Sequence, residues 1–212
     1  MALPSNVHLS QHPCLRAKLS RLRSKQTHVR EAKILVHEIA TILGCEALAS
    51  TLTAVDGPKP EEVSLVPILR SGLGMVEAIQ ALLPEPVPVH HLGLYREPST
   101  LEPVEYYNNL PNHIGPSGAA QSPSKLAVIL DPVIATGGTC AAAIQTLREW
   151  GARRVLVLSV IGASDGVARA ANEWPEGVDV WLAGLDAELT ATGMVKPGLG
   201  DIGDRLFLTV GK

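Results

Sequence analysis

Residues 125–140 read KLAVILDPVIATGGTC, and they carry the clearest indication of the fold class. The apolar run at 126–130 indicates a buried strand, and Asp131 stands where that strand ends. A turn of small residues then opens a helix predicted at Thr139–Trp150 and closed by Gly151. An acid at a strand end can bind sugar hydroxyls, and a small-residue turn at a helix N-terminus offers N–H groups to a phosphate. The stretch therefore predicts one site for both ends of a ribose 5-phosphate.

Strands and helices alternate on both sides of this stretch. Further strands are predicted at Val63–Leu69, Val87–Tyr95, Val155–Ile161 and Val178–Leu182. Helices are predicted from the N-cap Thr27 to about Leu48, from the glycine turn Ser71–Gly74 through Leu83, and at Gly166–Asn172. Runs rich in Val, Leu and Ile suit parallel strands that are covered on both faces. The order predicts an α/β fold with a mostly parallel sheet covered by helices.

The chain length suits one domain over residues 1–212, because 212 residues are enough for one full α/β core. Residues 1–13 contain the breakers Pro4 and Pro13 and are predicted to form an N-terminal arm. Residues 96–124 contain repeated Pro, Gly and Ser without a clear period. Long segments of this kind in compact domains are often functional, so we predict a flexible lid or loose hairpin there.

Composition excludes several classes of protein. The net charge of -3 argues against nucleic-acid and membrane partners, because anionic surfaces do not attract a mildly acidic protein. Cys14, Cys45 and Cys140 are widely spaced and form no CxxC pair, which predicts reduced thiols. No apolar run is expected to reach the roughly 18 residues of a membrane span, and the first thirty residues lack a signal-peptide core. These patterns predict a soluble, cytoplasmic protein.

Two glycine-rich segments resemble nucleotide motifs and are rejected as such. The 135–139 turn lacks the GK[ST] of a Walker A motif. Residues 198–203 match GxGxxG, but Pro197 precedes them and the nine residues that follow cannot complete a βαβ unit.

Arg70 follows a predicted strand and precedes a glycine turn. The alternatives for it are a free surface arginine and an anion-binding fork, and its position at a strand end favours the fork.

Several other polar and aromatic residues are assigned structural roles. His90 and His91 are adjacent on a strand and face opposite ways, so they are not predicted to share a metal. Asp165 and Asp186 are predicted to be loop or cap acids. The tryptophans are predicted to pack in the fold rather than stack on a base; they are Trp150, Trp174 and Trp181.

The segment 126–140 resembles the phosphoribosyl pyrophosphate (PRPP) motif of phosphoribosyltransferases, in the DPMLATGGS form of the uracil branch. The pair Asp131-Pro132 is typical of that branch, since other members carry two adjacent acids. The resemblance continues through VPILRSGLGM (66–75), LGLYREPSTLEPVEYYNNLP (92–111) and PGLGDIGDRLF (197–207), and it covers residues 12–208 in order. The chain thus resembles uracil phosphoribosyltransferases of the type I superfamily.

The resemblance implies the type I phosphoribosyltransferase fold with a flexible lid or hairpin and a C-terminal base-binding loop. It implies conversion of uracil and PRPP into UMP and diphosphate in pyrimidine salvage, with Asp131, Arg70 and Asp201 as catalytic residues. The implied PRPP-binding residues are Arg70, Arg96, Asp131, Pro132, Val133, Ile134, Ala135, Thr136, Gly137, Gly138, Thr139 and Asp201. The implied uracil-binding residues are Val195, Gly200, Asp201 and Ile202.

The resemblance also implies partners. Mg2+ is expected through PRPP rather than on a direct protein ligand, GTP is a candidate effector, and a homodimer or homotetramer is expected. A different class of function is the alternative, a regulatory protein that binds PRPP or uracil with weak or no catalysis. A regulator of this kind should present a basic face, and the net charge of -3 does not support one.

The chain departs from the family pattern near the base. Met194 stands where the bacterial form usually carries an aromatic residue, and Lys196 adds a charge. VAAPEG of the family becomes GASDG at residues 162–166, and Gly115–Lys125 resembles an inserted loop. These changes leave the PRPP half intact and predict weaker uracil binding with the base selectivity retained.

Overall fold

The computed structural model describes residues 3–52, 62–97, 99–100, 102–111 and 124–209, without the side chain of Arg96. Most of the turn predicted at 53–62 and of the loop predicted at 115–125 lies outside the described residues. The predicted lid at 96–124 is described in part. Its first half contains a strand, as given below.

The described residues form twelve strands and six helices. The strands are β1 (Val7–Leu9), β2 (Val63–Leu69), β3 (Leu92–Arg96), β4 (Pro103–Asn108), β5 (Leu126–Leu130), β6 (Val133–Ile134), β7 (Arg154–Ser159), β8 (Ile161–Ala163), β9 (Val178–Leu182), β10 (Leu185–Asp186), β11 (Glu188–Leu189) and β12 (Val195–Lys196). The helices are α1 (Pro13–Arg23), α2 (Val29–Thr51), α3 (Leu73–Gln80), α4 (Gly138–Trp150), α5 (Ser164–Ala171) and α6 (Ile202–Phe207).

The main sheet has the strand order β1-β9-β7-β5-β2-β3-β4. Its neighbours pair in parallel except for the antiparallel β3–β4 hairpin. Two groups of buried apolar side chains lie against the sheet, and β5 contributes to both, Val128 to one and Ile129 to the other. The predicted fold class is therefore confirmed: helices cover a mostly parallel sheet.

The predicted strands at 63–69, 126–130 and 178–182 are confirmed at both ends. The strand predicted at Val87–Tyr95 is shorter, because Val89 makes only an isolated bridge to Leu65 before β3 begins. The strand predicted at Val155–Ile161 is divided, because the chain leaves the main sheet after Ser159. β8 then pairs with β6 and β10 in a three-stranded sheet.

The N-terminal segment contributes more than an arm. Val7–Leu9 pairs in parallel with β9 and forms one edge of the main sheet. Pro13, predicted as a breaker, instead begins α1, a position where its missing N–H removes no helical hydrogen bond. Leu15, Leu19 and Leu22 of α1 are buried at spacings of four and three residues. The sequence prediction missed this helix although its spacing is helical.

Helix α2 differs from its prediction in two ways. It begins after His28, and the Thr27 hydroxyl instead donates to the Arg21 carbonyl over 2.5 Å. It also continues past Leu48 to Thr51, and Gly44 within it allows α3 to pack closely, since an added Cβ there would lie 2.6 Å from the Ile79 side chain.

The expectation that no segment is apolar enough for a membrane span is wrong for α2. By length and composition alone this helix of 23 residues could cross a membrane, and it is the one such helix among the described residues. In this fold, however, its apolar face packs into the core, with Leu35, Val36, Ile39 and Leu43 almost fully buried.

The three tryptophans pack as predicted. Trp181 stacks on His8 with ring centroids 4.7 Å apart, Trp150 meets His90 edge to face at 5.5 Å, and Trp174 lies under the guanidinium of Arg148 at 5.4 Å. Each also contacts a group of buried apolar residues.

Candidate active site

A cavity of about 350 Å³ opens at the carboxyl end of the central strands β2 and β5. Four segments line it: the end of β2 at 68–71, the β3–β4 hairpin, the residues after β5, and a C-terminal loop at 195–203 with the preceding Met194. This is the edge of an open parallel sheet at which ligands usually bind. The fold therefore brings segments far apart in sequence to one site.

The predicted phosphate-binding turn, residues 135–139 and called the phosphate loop below, follows β6 and includes the first residues of α4. Gly137 is the N-cap of α4 and has φ of 78°, a left-handed conformation that glycine adopts without strain. An added Cβ on Gly137 would lie 2.1 Å from the carbonyl oxygen of Gly166, and one on Gly166 would lie 1.9 Å from the carbonyl oxygen of Ala135. The beginning of α5 thus presses directly against the loop and fixes its backbone.

The loop can bind an anion for two physical reasons. The first N–H groups of a helix lack partners within the helix, and the helix dipole makes that end positive. The hydroxyl-bearing residues Thr136 and Thr139 line the cavity beside them. A phosphate group is the anion that such a loop suits best.

Asp131 lies at the end of β5 and is almost completely buried while it lines the cavity. Burial raises the pKa of its carboxyl to about 7, and the hydrogen bond from the Val133 N–H, 3.5 Å from Oδ1, acts in the opposite direction. Burial and the nearby Asp131 both raise the pKa of the Cys140 thiol. A buried neutral thiol is a poor nucleophile, so the chemistry of the cavity does not depend on Cys140.

Arg70 follows β2 and reaches the cavity with a half-exposed guanidinium. Its Nη1 donates to the Thr209 hydroxyl over 2.8 Å, and its Nη2 donates to Asp204 Oδ1 over 3.2 Å. The peptide bond between Leu69 and Arg70 is cis. Two of the five N–H donors of the guanidinium are thus engaged with the C-terminal segment.

Backbone geometry dominates the C-terminal loop. Gly198 and Gly200 have φ of 63° and 68°, and an added Cβ on Gly198 would lie 2.0 Å from the Val195 carbonyl oxygen. Asp201 caps α6 by accepting from the Asp204 N–H over 3.0 Å. Lys196 forms an exposed ion pair with Glu188 at 2.9 Å and does not line the cavity.

The structure gathers twelve of the predicted site residues around the cavity. They are Arg70, Asp131, Val133, Ile134, Ala135, Thr136, Gly137, Thr139, Val195, Gly200, Asp201 and Ile202. Pro132 and Gly138 lie within the same run but are buried and do not line the cavity. The backbone of Arg96 ends β3, and its side chain is outside the described part of the chain.

Sequence reasoning missed two aromatic residues of the hairpin. Tyr95 and Tyr106 both line the cavity, and their ring centroids are 6.1 Å apart. The available signal was composition: in a chain that is only 3% aromatic, tyrosines on two paired strands are unusual. Each is about half exposed, so both rings can contact a bound ligand.

Asp186 is not a simple loop or cap acid, which corrects its prediction. It is buried and accepts hydrogen bonds from both terminal nitrogens of Arg23, at 2.7 and 2.8 Å. Asp165, by contrast, lies in the first turn of α5 and fits its prediction.

Few of the described side chains could bind a metal ion directly at the cavity. Within the described residues no three His, Cys, Asp or Glu side chains cluster as a metal site. Asp131 and Asp201 are the acids that line the cavity. One or two carboxylates suit Mg2+ when substrate phosphates supply further oxygens.

Comparison with known proteins gives consistent matches over nearly the whole chain. The sequence model of the family described as uracil phosphoribosyltransferase matches residues 9–209. A uracil phosphoribosyltransferase from Roseiflexus castenholzii is 44% identical and one from Shouchella clausii is 39% identical, each over 96% of this chain and 98% of the relative.

Solved structures show the same fold. The AQ2163 protein from Aquifex aeolicus superposes with a TM-score of 0.82 at 32% identity, over 97% of this chain and all of that one. An adenine phosphoribosyl transferase from Trypanosoma brucei superposes with a TM-score of 0.57 at 18% identity, over 87% and 85% of the two chains. That protein was crystallised with AMP, pyrophosphate and ribose-5-phosphate.

Proposed function

The chain belongs to the uracil phosphoribosyltransferase family, and we propose that it converts uracil and PRPP into UMP and diphosphate. One observation carries the proposal. A single cavity collects a strand-end acid, a phosphate loop, an arginine and a loop of exposed backbone, all four of the parts that these substrates need. The reaction is a step of pyrimidine salvage.

PRPP occupies the part of the cavity formed by the sheet edge. The phosphate loop binds the 5-phosphate through backbone N–H groups and the hydroxyls of Thr136 and Thr139. Asp131 accepts hydrogen bonds from ribose hydroxyls, which favours its ionised form against the effect of burial. Arg70 and Arg96 bind the pyrophosphate, whose charge increases as it leaves.

Uracil occupies the part formed by the C-terminal loop. Val195, Gly200 and Ile202 contact the base, and Asp201 contacts both substrates. Main-chain groups can approach a base edge only where side chains leave room, which the glycines provide. Uracil presents an acceptor at O4 and a donor at N3, and cytosine reverses both. Backbone groups placed for uracil would be left unpaired by cytosine, which can lower its binding by several kcal/mol.

The reaction needs positioning and charge stabilisation. The bond from ribose C1 to the pyrophosphate oxygen breaks as the bond from uracil N1 to C1 forms. The electron pair leaves with pyrophosphate, and the N1 proton is released. C1 passes through a state with oxocarbenium character, and no protein nucleophile is required. Asp131 and Asp201 are the acids that would lie near a Mg2+ ion bound with PRPP, and the ion would supply positive charge to the leaving pyrophosphate.

Further expectations complete the proposal and are measurable together. We expect a cytoplasmic homodimer or homotetramer with GTP as an effector. Light scattering coupled to size exclusion gives the oligomer number, and the rate of UMP formation with and without GTP gives the effect of the nucleotide. An unchanged rate over a wide range of GTP would remove GTP from the proposal.

An assay of UMP formation from uracil and PRPP, with Mg2+ and with EDTA, tests the proposed function. We expect turnover with Mg2+ and its loss with EDTA. Binding of PRPP and uracil without UMP formation would instead support the regulatory alternative. The relatives from Roseiflexus castenholzii and Shouchella clausii carry the enzyme's name, and no described contact favours a regulator.

A further inference from the structure

Asp186 is a buried acid that the proposed mechanism does not use. It follows β9 in a short strand, β10, and it does not line the cavity. Burial alone would raise the pKa of its carboxyl. The hydrogen bonds from Arg23 and the Gly198 N–H, with the charge of Arg23, lower that pKa below its usual value. The carboxylate is therefore ionised and fully engaged in the folded protein.

The partners of Asp186 belong to two distant parts of the chain. Arg23, the last residue of α1, donates to both carboxylate oxygens in a bidentate arrangement. The N–H of Gly198 donates to Oδ2 over 2.9 Å. Arg23 also donates to the Gly198 carbonyl over 3.1 Å. Both backbone groups of Gly198 are thus held from outside the cavity by one ion pair.

A second arginine holds the neighbouring residue. Arg205 donates to the Leu199 carbonyl over 2.8 Å and to the Ser24 carbonyl over 3.3 Å. The end of α1 is therefore bound to the C-terminal loop at two successive residues. Leu199 and Gly200, which follow Gly198, line the cavity. A displacement at Gly198 would move the cavity wall directly.

We propose that Arg23 and Asp186 are positioning residues that hold the C-terminal loop and thereby set the affinity for uracil. This inference rests on the proposed function. If the base is recognised mainly by main-chain groups, its affinity depends on how accurately those groups are placed. Within the described part of the chain, neither the phosphate loop nor Arg70 has a hydrogen bond to this pair, and Asp201 is held separately as the cap of α6, so the affinity for PRPP should change little.

The test compares Michaelis constants in Arg23→Lys and Asp186→Asn. Arg23→Lys keeps the charge but loses the bidentate fork. For each variant we expect the KM for uracil to rise at least about tenfold, while the KM for PRPP stays within about twofold. We also expect Arg23→Lys combined with Asp186→Asn to be no worse than Asp186→Asn alone, since residues that act as a unit are not additive.

A more exposed arginine–aspartate pair in the main sheet provides the control. Arg154 and Asp179 join β7 to β9 at 2.5 Å, away from both loops. Arg154→Lys and Asp179→Asn should leave the KM for uracil unchanged. Thermal melting with and without PRPP is a further check. A rise in melting temperature on adding PRPP shows that the PRPP-binding part of the variant is folded.

Each outcome decides the proposal. A rise in the KM for uracil alone supports it. Equal changes in both constants, an effect on kcat alone, or failure of both variants to fold would show a general structural role and overturn it. A wild-type protein that forms no UMP would remove the proposed function and this inference together. Normal wild-type turnover with unchanged variants would remove this inference only.

Discussion

Asp204 and Arg70 form an ion pair at the rim of the cavity, with Oδ1 and Nη2 separated by 3.2 Å. The Thr209 hydroxyl closes the arrangement, because it donates to Asp204 over 2.6 Å while it accepts from Arg70. The guanidinium is thus oriented before a ligand arrives, and its remaining N–H groups are available for an anion. Because the side chain is already ordered, less rotamer entropy is lost when a ligand binds.

Asp204→Asn should weaken PRPP binding modestly. Both side chains are partly exposed, and such pairs contribute no more than about 1 kcal/mol, which corresponds to about fivefold. We expect the KM for PRPP to rise by up to about fivefold, with the KM for uracil unchanged. Glu188→Gln, which removes the exposed ion pair with Lys196, is the control and should change neither constant. A larger effect on uracil would place Asp204 with the base instead.

Asp131→Asn should lower activity and raise stability. We expect kcat/KM for PRPP to fall at least about tenfold, on the order of 1.4 kcal/mol, because the amide is a weaker acceptor for ribose hydroxyls. Burial raises the pKa of Asp131 to about 7, above the roughly 3.9 of an unfolded aspartate. The wild-type protein therefore loses stability as the pH rises from about 4 through about 7.

Chemical denaturation at pH 5 and pH 8 measures this loss. The advantage of Asp131→Asn over the wild type should be larger at pH 8, by at most a few kcal/mol, since one pKa unit is about 1.4 kcal/mol. An advantage that is equal at both pH values would contradict a raised pKa. Unchanged kinetics would remove Asp131 from the PRPP site.

Gly166→Ala should disturb the phosphate loop although Gly166 does not line the cavity. Its added Cβ would lie 1.9 Å from the Ala135 carbonyl oxygen, and backbone cannot rotate away as a side chain can. We expect a loss of stability of roughly 1–3 kcal/mol, as for overpacked sites, with weaker PRPP binding by calorimetry. Gly74→Ala in α3 is the control, because its Cβ would approach only side chains, Leu206 at 3.1 Å and Val36 at 3.5 Å, away from the cavity. Equal effects of the two substitutions would argue against the backbone contact.

Selection of uracil over cytosine should survive the presence of Met194 and Lys196. The Lys196 amine pairs with Glu188 outside the cavity, so it is not placed to attract the acidic substituent of orotate. Met194 can cover the ring with its flexible apolar side chain, although less rigidly than an aromatic residue. We expect a raised KM for uracil with selectivity retained. Turnover of cytosine or orotate within about threefold of uracil would show a rebuilt pocket.

The phosphate loop could be predicted from sequence because its determinants are local. The strand, Asp131, the small residues and the helix occupy one continuous stretch, and each predicts its own conformation. The C-terminal loop required the family resemblance, because glycines alone do not distinguish a base loop from an ordinary turn. The lid at 96–124 stays a prediction, since half of that segment is outside the described residues.

The role of Asp186 could not be predicted because its partner, Arg23, is 163 residues away in sequence. An isolated acid after a strand has no local pattern that indicates burial, and only the fold brings the guanidinium to it. The same reason explains β1. The three residues of β1 are too few for a period to indicate a strand. Only the pairing with β9 in the folded chain identifies them as one.

The pairing of β1 with β9 has a consequence for synthesis on the ribosome. Val7 pairs with Val180, so β1 leaves the ribosome long before its partner strand β9 and must wait for it. At about 5–20 residues per second, the wait is roughly ten to thirty seconds. β2, β3, β4, β5 and β7 can assemble during that time, because all of them precede β9 in the chain. The nascent sheet therefore grows toward an N-terminal strand that is already present, and β1 covers the exposed edge as soon as β9 arrives.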